Sequence, residues 1–71
     1  MIVEVGDIVQ WDPNIPTDNV GYRAKPHIEN GRLFRVIRRT GSGYISIEPL
    51  SDYPPGYDKT WQWPMQRFIK L

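Results

Sequence analysis

Prolines stand at positions 13, 16, 26, 49, 54, 55 and 64 of the 71-residue chain, so only residues 27–48 form a window of helical length without one. A proline inside a helix removes a backbone hydrogen bond and clashes with the preceding turn. The one window that escapes is itself patterned as strand, and helix is therefore expected to be a minor component of an all-β fold. No internal repeat, low-complexity tract or heptad pattern interrupts that reading, and the chain is expected to form a single domain over residues 1–71.

Alternation then places the strands. Ile2 to Trp11 reads as the first, with Val3, Val5, Val9 and Trp11 on one parity, facing the core, around a Gly6-Asp7 break that suits a turn or bulge. Asp12 to Gly31 is rich in Pro, Asn, Asp and Gly and ends in Asn30-Gly31, so it reads as one long ordered excursion. Arg32 to Arg39 is a second strand whose apolar residues occupy both parities, Leu33 and Ile37 against Phe34 and Val36, so both faces are expected to be at least partly covered. Thr40-Gly41-Ser42-Gly43 connects it to a third strand, Tyr44 to Leu50, with Ile45 and Ile47 inward and Tyr44, Ser46 and Glu48 outward. Ser51 to Lys59 reads as a loop, and Thr60 to Trp63 as a fourth strand stopped by Pro64. Met65 to Arg67 suits one 3₁₀ turn. Phe68 to Leu71 is a last strand, expected to pair with the first because an unpaired edge is a liability.

This order, with two short motifs, resembles the SH3-like small β-barrels. Val5-Gly6-Asp7-Ile8-Val9 is similar to the Gly-Asp-x-Val start common to KOW, Tudor and related domains, and Pro64 followed by Phe68-Ile69-Lys70-Leu71 is similar to their closing turn and strand. The resemblance spans nearly the whole chain and implies a five-stranded SH3-like barrel with a long first loop and a 3₁₀ turn before the last strand. The Ala-Leu-Tyr-Asp-Tyr-like stretch of peptide-binding SH3 domains is lacking, the long loop holding only Val20-Gly21-Tyr22.

No catalytic constellation emerges. His27 is the one histidine and the chain has no cysteine, which leaves no thiolate site, no disulfide scaffold and no recognisable metal-ligand spacing. His27 reads as an ordinary loop histidine. The carboxylate pairs Asp7 with Asp12 and Asp52 with Asp58 sit beside Gly or Pro, where Asp serves turns by bonding the backbone. Trp61-Gln62-Trp63-Pro64 is loosely similar to the Val-Gln-Ile-Tyr-Pro pore strand of plasmid-type dihydrofolate reductases, but the Gln-to-Pro spacing is one residue shorter and the tyrosine is lost. The chain is expected to be no enzyme and to need no cofactor or metal.

The surface is more telling. Of nine aromatics, Tyr44, Tyr53, Tyr57, Trp61, Trp63 and Phe68 fall in the last 28 residues beside four of the prolines, too many for so small a core. Tyr53, Pro55, Tyr57, Trp61 and Trp63 are the candidate contact residues for a larger protein, Trp61 and Trp63 sharing one strand face so that both are core or both are surface. A Tudor-type cage for methylated cations would need three or four of these rings to converge. The rival reading is single-stranded nucleic acid, held by Arg32, Arg35, Arg38, Arg39, Tyr44 and Arg67 through stacking and phosphate pairing. Charge weighs against it: the chain is only +1 overall, with five acids among residues 1–31 and seven bases among residues 32–71. No run approaches the roughly 18 apolar residues of a membrane span, and no basic stretch leads into an apolar one at the start. The expected setting is cytoplasmic.

Overall fold

The computed structural model describes residues 3–29, 31–51 and 55–71. Within them lie five strands: β1 (Ile8–Trp11), β2 (Leu33–Arg39), β3 (Tyr44–Pro49), β4 (Trp63–Pro64) and β5 (Phe68–Lys70). All pair antiparallel in one sheet of order β4-β3-β2-β1-β5. The fold is all-β, with a 3₁₀ turn at Met65–Arg67 immediately before the last strand. Among the described residues helix is limited to that turn, a second 3₁₀ turn at Thr17–Asn19, and a single turn of α-helix, α1 (Lys25–Ile28), whose Pro26 sits at the start, where the missing N–H costs nothing.

β5 pairs with β1 through Val9↔Lys70, Gln10↔Ile69 and Trp11↔Phe68, and the Asp12 N–H donates to the Arg67 carbonyl at 2.9 Å just beyond. The end of the chain thus closes on its beginning, as the expected pairing requires. The tight hairpin between β2 and β3 also stands where it was read: the Tyr44 N–H donates to Thr40 Oγ1 at 3.2 Å, and Gly43 takes a φ of 90° that a side chain rarely adopts.

Several expectations need correction. The first strand is shorter than Ile2 to Trp11, because a turn at Val5-Gly6, with Gly6 at φ 96° and the Asp7 N–H bonded to the Glu4 carbonyl, precedes β1. Val3 and Val9 are buried, but that turn rotates Val5 out to 62 % exposure. β2 is covered fully on one face and only in part on the other. Phe34 and Val36 are fully buried while Leu33 and Ile37 are exposed, and a bulge between Val36 and Arg38 breaks the alternation. Ser46 is buried, not exposed, because alternation fixes a side chain's direction and not its cover, and one this small is easily covered. The fourth strand does not run from Thr60 to Trp63: Thr60 is in a turn, and Pro64 is inside β4, tolerated because β4 is the sheet's edge.

The core gathers Val3, Val9, Trp11, Ile28, Phe34, Val36, Ile45, Ile47, Trp63 and Phe68. Ile28 is the only one of these from the long first loop. Burying such a side chain contributes roughly 1.5–3 kcal/mol, and Ile15, Val20 and Ala24 of the same loop pack partly buried against the core beside it.

Candidate functional site

The long loop and the segment leading into β4 face each other across an open cleft of ≈ 340 Å³. Val20, Gly21, Arg23 and Ala24 form one wall; Trp61, Gln62, Trp63, Pro64 and Arg67 form the other. Each wall is fixed by its own local chemistry. On the loop side the Ala24 and Lys25 N–H groups both donate to the Gly21 carbonyl, at 2.9 and 3.0 Å, and lead into α1, whose His27 and Ile28 are buried. On the other side the Tyr57 hydroxyl donates to the Ile47 carbonyl at 2.9 Å, tying residues 55–61 to β3. Asp58 Oδ1 then accepts from both the hydroxyl and the N–H of Thr60, at 2.6 and 2.8 Å, and the Trp61 N–H donates to the Asp58 carbonyl. Those bonds, the Thr60 hydroxyl first, hold the Asp58 carboxyl below its ordinary value.

The walls meet through aromatic rings. His27 packs on Tyr57 at 5.7 Å and on Trp61 at 6.0 Å between centroids. Tyr57 meets Trp61 edge to face at 5.2 Å, Trp61 meets Trp63 at 6.2 Å, and Trp63 meets Trp11 at 6.2 Å. Edge-to-face contact at these separations is the favoured arrangement for aromatic pairs. His27 is therefore not an ordinary loop residue: at 5 % exposure it is the wedge between the long loop and the 55–61 loop. Its Nδ1 and the indole Nε1 of Trp63 are enclosed without a hydrogen-bond partner among the described residues.

The residues expected to contact a protein separate by depth. Trp63 is 6 % exposed and belongs to the core, whereas Trp61 lies outside the strand and is half-buried, so the two do not share one fate. Tyr57 is half-buried with its hydroxyl committed, and Pro55 is exposed. Tyr53 lies outside the described residues. The rings pack on one another edge to face and do not form an empty cage among the described residues.

The arginine-rich set does not form one track. Arg35 pairs with Glu48 at 3.6 Å, and Lys59 reaches the other oxygen of the same carboxylate at 3.6 Å. Arg38 and Arg39 are exposed and sit opposite Ser46 and Ile45, near the hairpin where Tyr44 is also exposed. Arg32 is half-buried at the entry to β2. Arg67 is apart from all of these, in the cleft, with its guanidinium 5.9 Å from the Trp11 ring.

Sequence reasoning missed Arg23, Gln62 and the Val20 to Ala24 wall. Arg23 is one of only two bases in the acidic first 31 residues, beside Tyr22, which is 81 % exposed. A cation and a large aromatic at the tip of a long loop was the available signal. The readings of Asp7, Asp12 and Asp58 as turn formers match the geometry: the Glu4 N–H donates to Asp7 Oδ2 at 2.8 Å, the Asn14 N–H to Asp12 Oδ1 at 2.9 Å and the Thr60 N–H to Asp58 Oδ1, while Asp52 lies outside the described residues. Among the described residues no cluster of His, Cys, Asp or Glu is arranged to hold a metal ion, and no helix is long and apolar enough to cross a membrane. Comparison with protein-family models, curated proteins and solved structures gives no match.

Proposed function

We propose that this chain is a non-catalytic binding domain of the SH3-like small-barrel kind, a cytoplasmic accessory module that docks on a larger protein by seating an extended segment of it in the cleft beside Trp61. The observation that carries this reading is the position of Trp61: a large ring, half-buried, on the wall of an open cleft and held from behind by Tyr57 and Trp63. A rigid aromatic supported in this way anchors a partner at low entropic cost, and Trp and Arg dominate the energetics of interfaces. The cleft is open to solvent and not enclosed, which suits an extended segment laid across it.

The test is Trp61→Ala. Partner binding, measured by calorimetry with a protein first recovered on the wild-type domain, is expected to weaken by about 2 kcal/mol or more, roughly 30-fold. Leu33→Ala, on the exposed face of β2 away from the cleft, is expected to leave binding unchanged. Equal loss in both variants would point to another surface. Arg38, Arg39 and Tyr44, exposed together near the hairpin, support a second reading as a single-stranded nucleic-acid site. That reading requires salt-sensitive amide shifts at these three residues on addition of an oligonucleotide.

A further inference from the structure

We infer that the segment taken by the cleft is acidic, with a carboxylate held between Arg23 and Arg67 and an apolar side chain laid on Trp61. The inference rests on the cleft being the docking site. Its own basis is the distribution of charge within the fold. Lys25, Lys59 and Lys70, the chain's three lysines, each have a carboxylate within 4 Å, at 3.8, 3.6 and 3.4 Å, from Asp18, Glu48 and Asp7 respectively. Arg35 shares Glu48. Both cations of the cleft, by contrast, are arginines without an ion pair among the described residues, and no acidic residue lines either wall.

Chemistry makes that pairing selective. A guanidinium is planar, always charged and less strongly hydrated than an ammonium, and its forked donors match the two oxygens of a carboxylate. Arg67 is half-buried and rests against the Trp11 ring, which limits the freedom it loses on binding. Val20 and Ala24 on one wall and Pro64 on the other add apolar lining to the two charges, so the complementary ligand carries an acid beside an apolar residue. A nucleic acid is disfavoured because Arg38 and Arg39 do not line the cleft, and two cations cannot follow a run of phosphates.

The experiment is panning of a random-dodecamer phage library on the intact domain, followed by calorimetry of the enriched peptide with wild type, Arg23→Gln, Arg67→Gln and the double variant. The expected result is enrichment of Asp or Glu beside an apolar residue, with affinity falling about tenfold for each arginine removed. Binding by the wild type should also weaken as salt is raised, and binding by the double variant should not. Arg23 is exposed and makes no ion pair among the described residues, so its variant is expected to keep the fold and isolate the charge. Enriched peptides without acids that still fail to bind Trp61→Ala would overturn the acidic inference while leaving the cleft as the docking site. Peptides indifferent to Trp61→Ala, no enrichment at all, or tighter binding of oligo-dT12 in the same cleft would overturn both.

Discussion

At the scale of single residues two side-chain polar atoms, His27 Nδ1 and Trp63 Nε1, are enclosed with no hydrogen-bond partner among the described residues. An enclosed donor or acceptor without a partner costs about 1–3 kcal/mol, whereas an apolar replacement of similar shape carries no such penalty. His27 is surrounded by Tyr57 and Trp61, surfaces that accept another ring. His27→Phe is therefore expected to keep or raise stability, by about 1 kcal/mol after allowance for the larger ring. Urea unfolding checks this, and a loss of 2 kcal/mol or more would show that the imidazole has a bonded role. Trp63 is different in kind, since its indole also fills the core between Trp11, Trp61 and Phe68.

At the scale of elements the hairpin between β2 and β3 sets the register of the central strands, and its geometry depends on Gly43. A Cβ at Gly43 meets nothing within 4 Å, so the only penalty for a side chain there is the backbone conformation at φ 90°. Gly43→Ala is expected to lower stability by about 1–2 kcal/mol, whereas Gly41→Ala, with equal space and no positive φ, should be close to neutral. Thermal unfolding of the two variants separates conformational from steric effects; equal losses would count against a register-setting role for the turn. The same hairpin is where the sequence was most informative, because the Gly-rich connection and the flanking Ile45 and Ile47 agree on one arrangement.

The whole molecule responds to pH through carboxylates that serve turns. Asp7 is held below its ordinary value of 3.8 by the Glu4 N–H, with Lys70 at 3.4 Å adding to it, and Asp58 is held below 3.8 by Thr60. A carboxyl whose value is lower in the folded state favours folding while it is ionised. That contribution is fully present above 3.8 and is lost as pH falls through the lowered values. Both groups are at the surface, so the effect is small and salt-sensitive. The urea midpoint should fall from about pH 5 to about pH 3 in wild type and fall less in Asp7→Asn, and an unchanged slope in that variant would remove Asp7 from the account.

What the sequence by itself determined was local: the prolines excluded long helices, alternation and glycine located the hairpin, and Pro64 with Phe68 marked the 3₁₀ turn and closing strand. The fold class was legible because these signals concern neighbours in the chain and do not conflict. The site was only half legible. Trp61 stood out as an aromatic in excess of what the core needs, but its separation from Trp63 did not, because strand alternation assigned both to one face and Trp61 lies outside the strand. Nor did the opposite wall, since Arg23 comes within reach of the cleft only after Ile28 and His27 dock the long loop against the sheet and the aromatic rings. Which arginines are paired was likewise decided in three dimensions: Arg35 meets Glu48 across β2 and β3, and Arg23 and Arg67 approach one cleft from 44 residues apart. Contacts between distant segments depend on register and loop docking, which no local pattern encodes, and it is those contacts that form the cleft.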